Sequence, residues 1–185
     1  MTRRVVRVAL SMVALILAGS AVAWAQDTSP LRLGVGYQLL HESVNGGGQT
    51  FPVGAYVDLE HAVTADAQKS LGWMGQFEIG YRTDSGFSEQ LYTVLGGLRL
   101  ASAKRLKWTP SGFGLVGMGT LNASCSQFCL GTDSGLALQG GFAMSTPLTD
   151  STLIDITFKA TKLWIEGAGV FNAAIGGGVR INLGK

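Results

Sequence analysis

The sequence LGWMGQFEIGYR at residues 71–82 alternates between two kinds of residue. Its odd positions carry large apolar side chains, interrupted by Gly75, and its even positions are small or polar except at Met74. A period of two predicts a β-strand with a different environment on each face. In a soluble protein the apolar face would line the core, whereas in a transmembrane barrel it would face lipid. The remainder of the chain decides between these environments.

The first 25 residues have the pattern of a secretory signal peptide. A basic segment with three arginines precedes an apolar run at 8–19, which is too short to span a bilayer comfortably. Ala23 and Ala25 flank Trp24 at the predicted cleavage site. The sequence therefore predicts an exported protein with a cleaved signal at 1–25 and one mature domain at 26–185.

The composition of the mature chain favours a membrane location. Without the three signal arginines it has eleven basic and twelve acidic residues, so no excess of positive charge indicates a nucleic-acid partner. Charged residues make up only 14% of the chain, which is low for a soluble surface. No run of 18 apolar residues follows residue 25, which excludes a transmembrane helix. An exported, charge-poor chain of strands is typical of an outer-membrane β-barrel.

Eight segments with strand period follow one another, separated by turn residues. We predict strands at 31–42, 51–62, 71–82, 90–101, 107–121, 135–146, 152–165 and 170–183. The even count and the similar spacing predict an all-β fold, an eight-stranded antiparallel up-and-down transmembrane barrel. Pro110 can insert a bulge in the fifth strand, so the parity of that strand stays open.

The charged residues of the strand interiors share the polar face. They are Arg32, Asp58, Glu60, Glu78, Arg82, Arg99, Asp155, Lys159 and Arg180. Five bases nearly balance four acids, as an enclosed interior requires, because an unpaired buried charge costs several kcal/mol. We therefore expect a polar lumen that side chains fill, and not a conduction path. A soluble, exported lipocalin-like barrel that binds a ligand among inward apolar residues is the alternative, but it would not need that balance.

The topology of an even-stranded barrel places both termini in the periplasm, so the first strand runs outward. The outer loops then lie near 43–50, 83–89, 122–134 and 166–169. Aromatic residues fall near both predicted interfaces, as girdles of a membrane barrel do. These residues are Phe51, Trp73, Tyr81, Tyr92, Trp164 and Phe171.

With this pattern the mature chain resembles the small eight-stranded outer-membrane proteins of the OmpA/OmpX-like barrel superfamily. The resemblance implies contact with outer-membrane lipid and lipopolysaccharide, and insertion by the outer-membrane assembly machinery. It also implies a non-enzymatic role in envelope structure or in surface interactions of the outer loops. Chains of this group usually end in an aromatic residue, whereas here Leu183 takes that place and two further residues follow.

Two other functions stay open, a narrow porin or small-solute channel and a lipid A-modifying enzyme. The second is suggested by His41 and Ser43 at the predicted outer rim, since some outer-membrane barrels of this size modify lipid A. Glu42 faces the other side of the strand, so no acid is assured to orient the histidine. No residue pattern predicts a catalytic, cofactor or metal site.

Cys125 and Cys129 lie in the longest predicted outer loop. A close cysteine pair in an exported protein predicts a disulfide. Two ligands are too few for a structural zinc site. The bond would fix the tip of the loop and leave the barrel itself unaffected.

Thiol labelling of the intact protein tests this disulfide. Neither Cys125 nor Cys129 should react before reduction, and both should react afterwards. Closing so short a loop contributes roughly 2 kcal/mol. Because this contribution orders the tip of the loop and not the barrel, reduction should move unfolding in detergent only slightly. Strong labelling before reduction would contradict the disulfide.

Overall fold

The computed structural model describes residues 31–44, 47–65, 69–84, 86–102, 107–125, 130–165 and 168–183. The predicted signal peptide at 1–25 and Cys129 of the predicted disulfide lie outside these residues. The strands are β1 Leu31–Val44, β2 Gly47–Phe51, β3 Val53–Ala65, β4 Lys69–Asp84, β5 Phe87–Ser102, β6 Thr109–Cys125, β7 Leu130–Pro147, β8 Thr152–Ile165 and β9 Ala168–Asn182.

The strands form one antiparallel sheet that closes on itself. β1 pairs with β2 and β3, each later strand pairs with the next, and β9 returns to pair with β1 along twelve residue pairs. Because β2 and β3 both pair with β1 and are interrupted only at Pro52, they form one barrel strand. The described strands therefore make an eight-stranded up-and-down barrel, which confirms the predicted fold class.

Within the described ranges, no helix is both long enough and apolar enough to cross a membrane.

Side chains alternate between the lumen and the outer surface. In β4, Gln76 and Glu78 are buried, whereas Phe77 and Tyr81 are exposed. Large exposed apolar residues occur on all eight barrel strands, for example Val35, Val57, Phe77, Leu98, Val116, Leu138, Ile156 and Ile175. An apolar band around the whole outer face is the lipid-facing surface of a transmembrane barrel. The lipocalin-like alternative requires the opposite arrangement.

The fifth predicted strand, β6, keeps one parity along its whole length. It pairs with β7 from Thr109 opposite Ser145 to Ser124 opposite Leu130 without a shift of register. Leu115 therefore faces the lumen and Val116 faces outward. Pro110 causes no bulge in this pairing.

The assignment of Phe51 to an aromatic girdle is wrong, because its side chain is 0% exposed. Phe51 pairs with Leu40, which faces the lumen, whereas Val53 faces outward. Pro52 adds one residue between the paired segments β2 and β3 and forms a bulge. A bulge reverses the face of every residue beyond it, so parity counted back from Val53 places Phe51 on the wrong side.

The strands extend further into the predicted outer loops than the sequence predicts. Apart from the short β2, they have 13 to 18 residues, whereas a tilted strand needs about 9–11 residues to cross the membrane. Most of the loop predicted at 122–134 is paired strand within the β6–β7 hairpin. The hairpins therefore continue beyond the apolar band.

Substitution of Ile156, which is 39% exposed on the outer face of β8, tests the lipid-facing surface. Ile156→Arg should destabilise the barrel by about 2–4 kcal/mol, because a cation would lie near the middle of the bilayer. Ile156→Leu should be mild. Urea unfolding in lipid vesicles measures both, and equal tolerance of the two changes would contradict lipid exposure at this position.

Candidate functional site

The lower end of the lumen, where β1 begins and β9 ends, contains a cluster of charges centred on Arg180. Its Nη2 atom lies 3.1 Å from Oδ1 of Asp58 and 3.0 Å from Oδ2 of Asp155. Its Nη1 atom lies 3.2 Å from Oε2 of Glu60. One guanidinium therefore joins carboxylates from two other strands, β3 and β8, and ties them to β9.

Glu60 connects this centre to two more arginines. Nη1 of Arg99 lies 3.2 Å from Oε2 of Glu60, and Nη1 of Arg32 lies 3.7 Å from Oε1. Arg99 also donates a hydrogen bond to Oγ of Ser111 at 2.8 Å. We call this group of three bases and three acids the lower cluster, and its members are Arg32, Asp58, Glu60, Arg99, Asp155 and Arg180.

A second ion pair lies higher in the lumen, between Lys159 of β8 and Glu78 of β4. Thr93 and Gln139 each donate a hydrogen bond to Oε2 of Glu78 at 3.0 Å. Nζ of Lys159 lies 4.2 Å from the ring centroid of Tyr56, a cation–π contact. This middle pair therefore has its charges and its hydrogen-bonding atoms satisfied inside the barrel.

Apolar side chains fill much of the remaining lumen. The buried cluster contains Leu40, Phe51, Met74, Leu91, Leu95, Phe113, Leu115, Ala137, Leu163 and Val170. A Cβ atom at Gly80 would lie 3.4 Å from Leu40 and 3.5 Å from Phe51, so the bulged strand brings Phe51 over this glycine. The sequence analysis missed this apolar filling, because a period of two alone assigns inward positions to polar residues.

The upper cluster, at the opposite end of the lumen, consists of Glu42, Gln49, Arg82, Glu89 and Asn172. Nε2 of Gln49 donates to Oε1 of Glu42 at 3.3 Å and to Oε2 of Glu89 at 3.1 Å. The sequence analysis assigned Arg82 to the lumen but left Glu42 and Glu89 out of the charge network. Glu42 is the last residue of the predicted strand 31–42, and Glu89 lies one residue before the predicted strand 90–101, whereas β5 begins at Phe87. Glu89, Leu91 and Thr93 stand at every second position of β5, and this alternation is the signal that could have placed Glu89 in the lumen.

The two histidines lie outside this network. Nδ1 of His41 lies 3.1 Å from Oγ1 of Thr50 on the outer face, and not from Ser43. The neighbouring Glu42 is buried on the lumen side, so it does not orient His41. His61 packs against Trp73 with ring centroids 5.8 Å apart. The predicted contact of His41 with Ser43 is therefore not formed, and no carboxylate of the described residues orients His41.

The other predicted girdle residues are on outward-facing positions. Tyr81, Trp164 and Phe171 are exposed near the upper ends of their strands. Tyr92 is partly exposed and donates a hydrogen bond to Gln90 at 2.8 Å. Trp73 lies near the lower end of β4. Their role as membrane girdles stays a prediction.

Solved structures share this architecture. Neisserial surface protein A matches with a TM-score of 0.67 and 10% identity, over 83% of this chain and 97% of that one. The chain has the fold of small outer-membrane β-barrels. The Ail attachment invasion locus protein of Yersinia pestis, in complex with the heparin analogue sucrose octasulfate, matches this barrel with a TM-score of 0.59 and 15% identity, over 83% and 99%. The N-terminal β-barrel domain of Pseudomonas aeruginosa OprF matches with a TM-score of 0.50 and 9% identity, over 83% of this chain and 99% of that one. No protein-family model and no curated sequence matches the chain.

Removing the central guanidinium of the barrel should be costly. Arg180→Ala leaves buried carboxylates without their shared partner, so we expect a loss of about 3–5 kcal/mol. Arg32 is the matched control, because its side chain is 26% exposed and its contact with Glu60 is longer. Arg32→Ala should cost under about 1 kcal/mol. Urea unfolding in detergent micelles measures both, and equal losses would show that Arg180 has no central role.

Proposed function

We propose that this protein is an integral outer-membrane barrel that catalyses no reaction and conducts no solute. Its role would lie in envelope structure or in contacts made by the upper loops. The observation that carries this proposal is the filled lumen, with the lower cluster at one end and the middle pair and apolar side chains above it. An eight-stranded barrel has an interior that side chains can fill, so a packed lumen leaves no continuous aqueous path.

The apolar outer band and the predicted signal peptide support a location in the outer membrane. The first strand begins and the last strand ends at the lower end of the barrel, where Leu183 donates a backbone hydrogen bond to Leu31 at 2.6 Å. We propose that this end faces the periplasm. The signal at 1–25 would be cleaved, and the barrel at 26–185 would be inserted by the assembly machinery.

Lipid is the partner that the outer surface supports best. A groove of about 330 Å³ runs along the upper half of the outer face. It is lined by Leu39, Leu40, His41, Thr50, Phe158, Ala173, Ala174 and Ile175. Small alanine side chains between larger ones leave room for an acyl chain of an outer-membrane lipid or lipopolysaccharide. The hydrogen-bonded His41 and Thr50 lie at its polar edge.

The charge of the upper end does not favour the kind of ligand seen with Ail. That protein was solved with a heparin analogue, a sulfated polyanion. Here two acids, Glu42 and Glu89, outnumber Arg82 at the upper end of the lumen, and Asp84 and Asp133 outnumber Lys162 among the described residues of the hairpins around it. We therefore propose that the loops contact neutral or basic partners, since acidic surroundings repel sulfate groups.

Planar-bilayer recording separates this proposal from the channel alternative. The folded protein, identified by its heat-modifiable mobility in gels, should give no steady current, because side chains fill the bore. A general porin in the same bilayer is the positive control for insertion and detection. A stable ohmic current from the wild-type protein would overturn the closed barrel and favour the narrow channel.

The mass of lipid A tests the enzyme alternative. Overexpression of this protein should leave that mass unchanged, whereas a lipid A-modifying enzyme would alter it.

A further inference from the structure

The upper cluster holds two buried carboxylates around one amide group. Glu42 is 1% exposed and Glu89 is 4% exposed, and they come from β1 and β5 on different sides of the lumen. The Nε2 group of Gln49 reaches both carboxylates, at 3.3 and 3.1 Å. A single neutral amide therefore bridges two carboxylates, and their mutual repulsion is offset only in part by Arg82, which lies opposite Glu89 in the pairing of β4 with β5.

Several buried polar atoms around these carboxylates have no partner in the described part of the chain. Among the described residues, Oε2 of Glu42 and both side-chain polar atoms of Asn172 have no hydrogen-bond partner. Asn172 is 2% exposed and lies directly opposite Glu42 in the pairing of β1 with β9, on the same inward face. Side chains at such positions are neighbours across the strands. Buried polar atoms without partners are unfavourable, so an ion that engaged Glu42 and Asn172 would stabilise this end of the lumen.

The charge balance points to a cation. The lower cluster has three bases for three acids, and the middle pair has one of each. In the upper cluster Arg82, which lies opposite Glu89 in the pairing of β4 with β5, is the one base for two acids, Glu42 and Glu89. Its guanidinium carbon lies 5.7 Å from the ring centroid of Phe87, and Arg82 forms no ion pair with any described residue. The excess negative charge of the lumen is therefore confined to this cluster.

We propose that the upper cluster binds one calcium ion. The carboxylates of Glu42 and Glu89 would supply charge, and the amide oxygens of Gln49 and Asn172 would complete the protein ligands. Gln49 needs only a rotation of its terminal amide to present oxygen in place of nitrogen. Ca²⁺ takes six to eight oxygen ligands in flexible geometry and accepts water for the remainder, whereas Mg²⁺ dehydrates reluctantly.

The proposed site has only two acidic ligands and no histidine or cysteine, so it does not have the usual composition of a metal site. Within the described part of the chain, no group of three His, Cys, Asp or Glu side chains could hold a metal. In the upper cluster two of the four protein ligands are amides. One cation would partner Oε2 of Glu42, engage Asn172 and offset the repulsion between the carboxylates of Glu42 and Glu89 at the same time. The proposal does not depend on which surface role the loops have.

Equilibrium dialysis of the folded protein in detergent, stripped with a chelator and returned to CaCl₂, measures the binding. We expect one Ca²⁺ per chain with a dissociation constant on the order of 10⁻⁴–10⁻³ M, and weaker binding of Mg²⁺. Glu42→Gln and Glu89→Gln should each weaken binding by roughly tenfold or more, because each removes a charged ligand. Asp150→Asn, the same change in an exposed lower turn, is the matched control and should bind like the wild type.

The urea midpoint of unfolding gives an independent test, because the loss of a carboxylate should not destabilise the Ca²⁺-free protein. Without Ca²⁺, Glu42→Gln should unfold at the same or a higher urea concentration than the wild type, since it relieves repulsion with Glu89. Addition of Ca²⁺ should raise the midpoint of the wild type and of Asp150→Asn but not that of Glu42→Gln. If Glu42→Gln fails to fold, Glu89→Gln serves the same comparison. Absence of Ca²⁺ binding by the folded wild type, or binding by both Gln variants that is as tight as that of the wild type, would overturn the proposal.

Discussion

The pairing of β9 with β1 is the interaction on which the rest of the structure depends. In the hydrocarbon of a membrane, unpaired backbone N–H and C=O groups are too costly, so a sheet that crosses it must have no open edge. Twelve residue pairs, from Arg32 opposite Asn182 to Ser43 opposite Phe171, remove that edge here. Closure fixes an even number of antiparallel strands, and it forces each strand to have one face toward lipid and one toward an enclosed space.

The enclosed space of eight strands is narrow, which determines the residues inside it. Large inward side chains are matched by glycine, since a Cβ atom at Gly36 would collide with the Tyr56 ring and one at Gly141 with the Phe113 ring. Charges in this space must find partners within the barrel, because water cannot solvate them fully. The guanidinium of Arg180, shared by three carboxylates, is the clearest result of that requirement.

Features that depend on alternation could be predicted from the sequence, and features that depend on register could not. A period of two predicts that Glu78 faces the lumen and that Phe77 faces outward. The same period predicts the number of strands and the barrel class. Phe51 could not be placed, because the bulge at Pro52 is a property of pairing with β1 and not of local pattern. The meeting of Glu42, Gln49 and Glu89 required hairpins that extend above the membrane, where polar residues still pair as strands.

The layers of the lumen give its two ends different properties. The lower cluster and the middle pair are electrically balanced, and their contacts join strands that are distant in sequence, as a structural filling should. Buried ion pairs can often be replaced by apolar residues without loss of stability, so closure alone does not require carboxylates at the upper end. Glu42 and Glu89 lie there with an excess of negative charge and with Asn172 beside them. Their position at the upper end, which we propose faces the outside, is the one part of the lumen that an external cation could reach first. The negative charge that the lumen leaves unbalanced therefore lies at the end that an external cation would meet.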